Sequence, residues 1–362
     1  MDFKDQKTLL ESKSSDDDRR VSSPMTRKGV YAAVSYMTSA VLLIMFNKAA
    51  LSSYKFPCAN VITLFQMVCS LVLLYALRSR NIVSFRVNNE NQSTNNIPGI
   101  FVSLKTLLTT LPLAISYLLY MLVSMESVRG VSVPMYTTLR RTTVAFTMLV
   151  EYVLVRQKYS RYIVGSVGII IFGAFIAGAR DLSFDSYAYA MVFSANICTA
   201  IYLASIARIG KSSGLDSFGL MWCNGIICTP ILLLWTWVSG DLQVTANFSH
   251  LSSVGFQVVM LLSCVMAFFL NYAVFLNTTL NSALTQTICG NLKDLFTIGL
   301  GWILFGGLPF DLLNVAGQSL GFLGSCIYAF CKIRGLFMSS WHLIDKTILF
   351  DHRIQVIIWK PL

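Results

Sequence analysis

Long apolar stretches recur along the whole chain, and they constrain its fold more than any other feature. A helix needs about 20 mostly apolar residues to cross a bilayer. Hydrophobic residues make up 55% of the chain and charged residues only 12%, whereas soluble domains carry roughly a quarter charged residues. We therefore predict an all-α integral membrane protein with ten transmembrane helices. The stretches lie near 30–52, 57–78, 101–124, 131–155, 161–179, 186–207, 217–239, 253–276, 283–305 and 311–332.

The basic residues between the apolar stretches predict the orientation. If the N-terminus is cytosolic, 21 of the 28 Lys and Arg residues fall in cytosolic segments and three on the opposite side. Cytosolic loops carry the excess of Lys and Arg, so we expect both termini in the cytosol. The hydrophilic segment 1–28 lacks the apolar core of a signal peptide. The predicted organisation is a cytosolic N-terminus at 1–28, a ten-helix domain at 29–335, and a tail at 336–362 whose structure the sequence does not indicate.

The ten predicted helices divide into halves at about 29–180 and 186–335. Because five is an odd number, a tandem repeat of five helices would place the halves in opposite orientation. The segments 139–141 and 292–294, each with a basic residue, are 153 residues apart, although short matches also arise by chance. Inverted repeats place a substrate site near the bilayer midplane, between the halves. We predict two inverted five-helix repeats with such a site.

Basic residues also occur within the apolar stretches or near their ends. A charge at the centre of a span costs about 2.5–3.5 kcal/mol on insertion scales. Such a residue therefore faces a cavity or a partner, unless it snorkels to the headgroups. The nearby acids are few, so a cavity built from these residues would favour an anion. The basic residues are Lys48, Arg140, Arg141 and Lys293, and the acids are Asp294 and Glu151.

One of these charges shares a helical face with other polar residues. Gln286, Gly290 and Lys293 are spaced four and three residues apart, which places them on one side of the ninth predicted helix. Gly290 would let a ligand approach the backbone closely. Lys293 offers a compact point charge that suits phosphate. We therefore expect this face to bind an anionic substrate.

The fourth predicted span has a similar arrangement, because Thr137 shares a face with Arg141 and Tyr136 with Arg140. Pro134 predicts a break near the lumenal end of this span. Other spans add side chains that could read the edge of a base or stack on a ring. Each can equally make an interhelical hydrogen bond, so the sequence leaves both roles open. These further candidates are Tyr120, Asn224, Asn271 and Tyr272.

Several functional classes are disfavoured by what the sequence lacks. It contains no Walker motif and no HExxH, and none of its apolar stretches holds a pair of carboxylates, which argues against a pump or an intramembrane hydrolase. The nine cysteines and three histidines show no metal-ligand spacing, so we expect no metal and no cofactor. The net charge of +11 is spread between apolar stretches, and we therefore expect no nucleic-acid partner.

The end of the first span carries a recognisable signature. The segment NKAAL at 47–51, followed by Phe-Pro at 56–57, resembles the first-span motif of nucleotide-sugar transporters in the drug/metabolite transporter superfamily. On this resemblance, Asn47 and Lys48 join the predicted substrate-binding residues.

Two later segments narrow the resemblance. VPMYTTLRR at 133–141 resembles the fourth span of the branch that carries UDP-glucuronic acid and UDP-N-acetylhexosamines. GNLKD at 290–294 is similar to the ninth-span motif of the same group. The resemblance covers 29–335 and is closest to plant transporters of UDP-N-acetylglucosamine and UDP-N-acetylgalactosamine.

The resemblance implies ten helices in a Golgi or endoplasmic reticulum membrane and exchange of cytosolic UDP-sugar for lumenal UMP. Lys293 resembles the lysine that meets the diphosphate, and Arg140 and Arg141 fall where the branch keeps a basic pair. Asn224 falls where GDP-mannose carriers keep the first of two base-reading asparagines. Gly225 replaces the second asparagine, and the lysine comes one position earlier than in their Gly-Ala-Leu-Asn-Lys motif. Both departures favour uracil over guanine.

The expected partners are therefore a UDP-sugar, UMP and the lipid bilayer, with the protein as a monomer or a homodimer. Three alternatives stay open at this stage. The first is a GDP-mannose or UDP-glucuronic acid carrier, and the second is a plastid-type phosphometabolite exchanger. The third is a membrane-embedded glycosyltransferase or scaffold.

Overall fold

A computed structural model describes residues 25–85, 102–127, 133–178, 185–305, 313 and 315–334, and these form helices with no strand among them. Residues 1–24 of the predicted N-terminal segment and the predicted tail at 336–362 lie outside this part of the chain. The helices are α1 Arg27–Lys48, α2 Ala59–Ser79, α3 Leu104–Ser127, α4 Val133–Arg141, α5 Thr143–Val155, α6 Arg161–Gly178, α7 Ser186–Ser212, α8 Ser217–Val238, α9 Asp241–Ala246, α10 Val254–Leu280 and α11 Ala283–Phe305, and α12 comprises 315–334. A π-helical turn at Ala49–Ser53 follows α1.

Seven of these helices are long and apolar enough to cross a membrane: α1, α2, α3, α6, α7, α8 and α10. This finding confirms the predicted class, an all-helical multi-pass membrane protein, for the described part of the chain. The predicted fourth span is divided at Thr142 into α4 and α5. Pro134 lies in the first turn of α4, where proline is tolerated, and residues 128–132 lie outside the described part of the chain, so the break predicted at Pro134 stays a prediction. Ten spans in two inverted halves stay a prediction.

Side-chain caps fix where several spans begin. Asp185 accepts a hydrogen bond from the N–H of Tyr187 at the start of α7. Asp216 does the same for Gly219 at the start of α8, at 2.8 Å. These caps satisfy N–H groups that have no partner within the helix. Burial raises the pKa of the Asp216 carboxyl, although the Gly219 N–H and the nearby Arg78 oppose this shift.

The start of α11 is capped by a carboxylate from another span. Glu151 of α5 is 2% exposed and accepts hydrogen bonds from the N–H groups of Ala283 and Leu284, each at 3.1 Å. The hydroxyl of Tyr159 donates to the same carboxylate at 2.6 Å. Burial and the neighbouring carboxylate raise the pKa of Tyr159. Glu151 therefore joins α5 to α11 and satisfies backbone groups for which the apolar bilayer offers no partner.

Helices α6 and α12 pack closely because glycines face each other across their contact. A Cβ on Gly173 would lie 2.6 Å from the carbonyl oxygen of Gly317, and one on Gly321 would lie 2.8 Å from the Nη1 of Arg141. Gly317 and Gly321 are about one turn apart, so they present one narrow face. A Cβ on Gly168 of α6 would meet nothing within 4 Å. The close approach is therefore specific to one side of α6.

The remaining contacts arrange helices from both predicted halves around a central space. Helix α1 packs against α10 and α11, whereas α7 packs against α3 and α5. Helix α4 contacts α6 and α7. Polar faces of α1, α3, α4, α7, α10 and α11 therefore meet in the interior of the molecule.

Candidate functional site

A cavity of about 480 Å³ occupies this central space. It brings together most of the predicted site residues from four different helices. Those that line the cavity are Tyr120, Tyr136, Thr137, Arg140, Asn271, Gln286, Gly290 and Lys293. Those that do not line it are Asn47, Lys48, Arg141, Asn224 and Tyr272.

The predicted face of α11 lies along one wall of the cavity. The Nζ of Lys293 lies 2.7 Å from the Oδ1 of Asp294, and both side chains line the wall. Gln286 is 3% exposed, and its Oε1 accepts a hydrogen bond from Asn277 of α10. At Gly290 a Cβ would meet only the hydroxyl of Tyr36, at 3.5 Å. The backbone of α11 is therefore open to the cavity beside Lys293.

The break between α4 and α5 lies at another part of the wall, because Arg140 before it and Thr143 after it both line the cavity. The Oγ1 of Thr142 donates to the carbonyl oxygen of Leu139 at 2.7 Å, and such local bonds bend helices. The Nδ2 of Asn196 on α7 donates to the same carbonyl oxygen at 3.0 Å and to Thr142 at 3.1 Å. Asn196 is fully buried. It therefore supports the break from the neighbouring span and has no access to the cavity.

Arg140 immediately precedes this break and faces the cavity. Its Nη1 donates to the Oγ1 of Thr199 on α7 at 2.9 Å. Its guanidinium carbon lies 5.9 Å from the ring centroids of both Tyr120 and Tyr136. Cations at this distance from an aromatic face are attracted by the ring quadrupole. These contacts hold a positive charge at the cavity wall and leave other guanidinium N–H groups for an anion.

Arg141 points away from the cavity, although it is the next residue. It is 5% exposed, and its Nη1 donates to the carbonyl oxygen of Gln318 on α12 at 2.9 Å. Successive residues on a helix point about 100° apart, so the two arginines meet different surroundings. The structure gives Arg141 a packing contact where the sequence predicted a binding residue.

Tyrosines form much of the remaining wall. The rings of Tyr120 and Tyr202 are parallel within 1°, with centroids 5.6 Å apart. Tyr117 packs against Tyr202 at 5.4 Å, and Tyr36 also lines the cavity. Sequence reasoning did not select Tyr36 or Tyr202, because a single tyrosine in an apolar span gives no signal of which way it faces. A wall of this kind can stack on a planar ring.

Three of the predicted residues that do not line the cavity are Asn47 and Lys48 at the end of α1 and Tyr272 in an aromatic stack. Asn47 accepts hydrogen bonds from Gln66 at 2.9 Å and from Ser263 at 2.7 Å, so its carbonyl joins α1 to α2 and α10. Lys48 follows it at the end of α1. Tyr272 stacks on Phe218 with centroids 4.0 Å apart.

Asn224 lines a side cavity of about 20 Å³ that shares Tyr117 and Asn271 with the central cavity. It is 6% exposed. A Cβ on its neighbour Gly225 would lie 2.7 Å from the Cδ2 of Leu71. A second carboxamide beside Asn224 would therefore require the Leu71 side chain to shift.

The chemistry of the central cavity suits reversible binding of an anion that carries a planar ring. Its described lining contains two cations, Arg140 and Lys293, and one carboxylate, Asp294. Tyrosines and amides supply the rest of the polar surface. Among the described residues no group of three His, Cys, Asp or Glu side chains could hold a metal ion.

Comparison with known proteins gives a family match over almost all of the described chain. The model of the Triose-phosphate Transporter family matches residues 26–329. The chain is 67% identical over 325 residues to the UDP-N-acetylglucosamine transporter UGNT1 of Arabidopsis thaliana, which covers 90% of this chain and 94% of that protein. It is 32% identical over 316 residues to the UDP-sugar transporter sqv-7 of Caenorhabditis elegans, with coverage of 87% and 92%.

More distant similarities extend the comparison. The GDP-mannose transporter GONST1 of Arabidopsis thaliana is 22% identical over 343 residues, covering 92% of this chain and 97% of that protein. One solved crystal structure superposes with a TM-score of 0.55 at 8% sequence identity. The superposition covers 83% of this chain and 98% of that one, and at this identity it bears on the fold alone.

Proposed function

The chain belongs to the Triose-phosphate Transporter family, and we propose that it exchanges a UDP-sugar for UMP across a Golgi or endoplasmic reticulum membrane. UDP-N-acetylglucosamine and UDP-N-acetylgalactosamine are the proposed sugars. Membership of a transporter family and 67% identity to a UDP-N-acetylglucosamine transporter support a carrier rather than an enzyme. The observation that carries the proposal is the cavity between Arg140 and Lys293.

The chemistry of the ligand matches this cavity. A UDP-sugar has a diphosphate, an aromatic base and a hydroxylated hexose. We assign the diphosphate to Lys293 and Arg140, because a lysine gives phosphate a point charge and an arginine gives it a fork of donors. Tyr120 and Tyr136 would stack on the base or the sugar. A volume of about 480 Å³ lies within the range of small-molecule sites.

The open wall of α11 supports a role for its predicted face. Gly290 leaves the backbone accessible beside Lys293, and Gln286 lies on the same face. Thr137 and Asn271 would supply hydrogen bonds from the facing helices. These assignments make the ligand bridge α4, α10 and α11, so its binding energy would act on elements of both proposed halves.

Alternating access around this cavity is the proposed mechanism. We place ten spans in two inverted halves, with both termini in the cytosol. The excess of basic residues in the segments assigned to the cytosol supports this orientation. The cavity draws its lining from helices on both sides of residue 180, which is what a site between inverted repeats requires.

Uracil is preferred over guanine in this proposal. The chain is 67% identical to UGNT1 and 22% identical to the GDP-mannose transporter GONST1. Leu71 occupies the space that a side chain at Gly225 would need. A second base-reading amide therefore could not be added beside Asn224 without displacing Leu71.

The proposal is tested by exchange in proteoliposomes. Vesicles are loaded with UMP and offered labelled UDP-N-acetylglucosamine, UDP-N-acetylgalactosamine, UDP-glucuronic acid and GDP-mannose. We expect UMP-dependent uptake of the UDP-N-acetylhexosamines above that of the other two. If uptake of every substrate is the same with and without UMP inside the vesicles, the proposed exchange is refuted.

Two controls separate the alternatives. Loading with inorganic phosphate should not replace UMP, whereas a plastid-type exchanger would respond to it. Detergent-solubilised protein should leave UDP-sugar intact, whereas a glycosyltransferase would consume it without a sealed membrane.

A further inference from the structure

The ion pair between Lys293 and Asp294 is not explained by ligand binding alone. The Nζ and Oδ1 atoms are 2.7 Å apart, and the two side chains are 17% and 32% exposed. Successive residues on a helix do not normally face each other. The lysine side chain must therefore turn across its own helix to reach the neighbouring carboxylate. Both side chains line the central cavity, so the pair forms where the phosphate is expected.

The two cations of the cavity differ in what holds them. Arg140 is held by the hydroxyl of Thr199 and by two tyrosine rings, which are neutral groups. Lys293 is held by a carboxylate, and Asp294 is the one acid in the described lining. Only at Lys293 would an arriving phosphate meet an anion already in place.

We propose that Asp294 competes with the phosphate of the ligand for Lys293 and so limits affinity and promotes release. This inference rests on the proposed function. A phosphate that binds Lys293 displaces the Asp294 carboxylate, which then repels the bound phosphate. When the phosphate leaves, Asp294 returns, so the lysine never stands as an uncompensated charge in a poorly solvated cavity. A transported ligand must bind tightly enough to enter and weakly enough to leave.

The competition applies to both exchanged ligands, because UDP-sugar and UMP each bring a phosphate to the same lysine. Without Asp294, both ligands would bind more tightly, and both would be released more slowly on the far side. A residue that only held α11 in shape would not give this combination. It would lower the maximal rate and weaken binding together.

The test is Asp294→Asn, which keeps the shape of the side chain and removes its charge. UDP-N-acetylglucosamine uptake into UMP-loaded vesicles is measured against concentration on both sides of the membrane. We expect the substrate concentration that gives half-maximal uptake to fall by up to about fivefold, which corresponds to loss of a partly exposed ion pair. The maximal exchange rate should also fall. Asp294→Glu restores the charge and is expected to move both values back towards those of the wild type.

The stabilising effect of UMP on the unfolding of the detergent-solubilised protein provides a second measurement. Asp294→Asn should reach a given increase in unfolding temperature at a lower UMP concentration than the wild type. The inference would be overturned if Asp294→Asn left the half-saturating substrate concentration unchanged or raised it, or if it left the maximal exchange rate unchanged. It would also be overturned if the Asn and Glu variants lost exchange activity equally. A wild-type protein that exchanges no UDP-sugar would instead refute the proposed function, so the two failures are distinguishable.

Discussion

Arg140 and Arg141 are consecutive residues of one helix, yet they belong to different regions of the molecule. Arg140 lies at the central cavity, with a hydroxyl of α7 and two tyrosine rings as its neighbours. Arg141 lies in the glycine-rich contact with α12 and donates to the backbone of Gln318. Both arginines donate a hydrogen bond to another helix inside the membrane protein. One leaves donors for a ligand, and the other uses a backbone carbonyl.

A charge within a span can therefore be held by contacts within the protein, without a ligand. The cost of placing it there can be offset by a protein carbonyl as well as by a ligand or a wet cavity. The direction in which the side chain leaves its helix decides which of these groups it meets. Cavity residues should therefore control substrate exchange, whereas residues at the α4, α6 and α12 contact should control stability.

The largest effect is expected from Lys293→Ala. Removal of the point charge assigned to the diphosphate should abolish UMP-dependent uptake of UDP-N-acetylglucosamine. The amount of inserted protein should not change, because the only contact described for its Nζ is with Asp294. Lys293→Arg keeps the charge and should retain part of the activity. Near-normal uptake by the alanine variant would remove Lys293 from the binding site.

A smaller effect, on stability rather than on binding, is expected from Gly173→Val. The new side chain would meet the backbone of Gly317, and overpacking of this kind costs about 1–3 kcal/mol. The unfolding temperature in detergent should fall. Gly168→Val is the matched control on the same helix and should leave it unchanged, since its Cβ meets nothing within 4 Å. Equal destabilisation by both variants would contradict the close α6–α12 contact.

The smallest effects concern the tyrosine beside Arg140. Tyr120→Phe keeps the ring that lies near Arg140 and stacks on Tyr202, so exchange should change little. Tyr120→Ala removes the ring, and the loss of a cation–π contact of about 0.5–2 kcal/mol should weaken exchange several-fold. Uptake at subsaturating UDP-N-acetylglucosamine measures both. A phenylalanine variant as impaired as the alanine variant would assign the role to the hydroxyl.

Periodicity and hydropathy predicted the helical membrane fold well, because each span must satisfy its own backbone and present apolar side chains to lipid. The resemblance to nucleotide-sugar transporters is confirmed by the family match and by the similarity to UGNT1. The break at Thr142 was not predicted. It depends on Asn196, which is distant in sequence and reaches Leu139 only once α7 is packed against α5.

The sequence predicted only part of the candidate site, because contacts between distant helices decide which residues face the cavity. Arg140 and Lys293 stood out because charges are rare in apolar spans. Asn47 gave no signal that its partners would be Gln66 and Ser263 from two other helices. Tyr36 was missed because its sequence surroundings do not differ from those of a lipid-facing tyrosine. Which side of a helix faces the cavity depends on how the neighbouring helices pack, and a single sequence does not show that packing.

The most direct test compares Arg140→Ala with Arg141→Ala in one exchange measurement. UMP-dependent uptake of UDP-N-acetylglucosamine is divided by the amount of folded protein in each preparation of vesicles. Arg140→Ala should lower uptake per folded molecule while folding normally. Arg141→Ala should yield less folded protein, since it removes the hydrogen bond that joins Arg141 to α12, and a bond to a charged group contributes about 1.5–3 kcal/mol, but should keep wild-type uptake per folded molecule. Normal uptake by Arg140→Ala, or a fully folded Arg141→Ala that exchanges nothing, would contradict the assignment of the cavity as the substrate site.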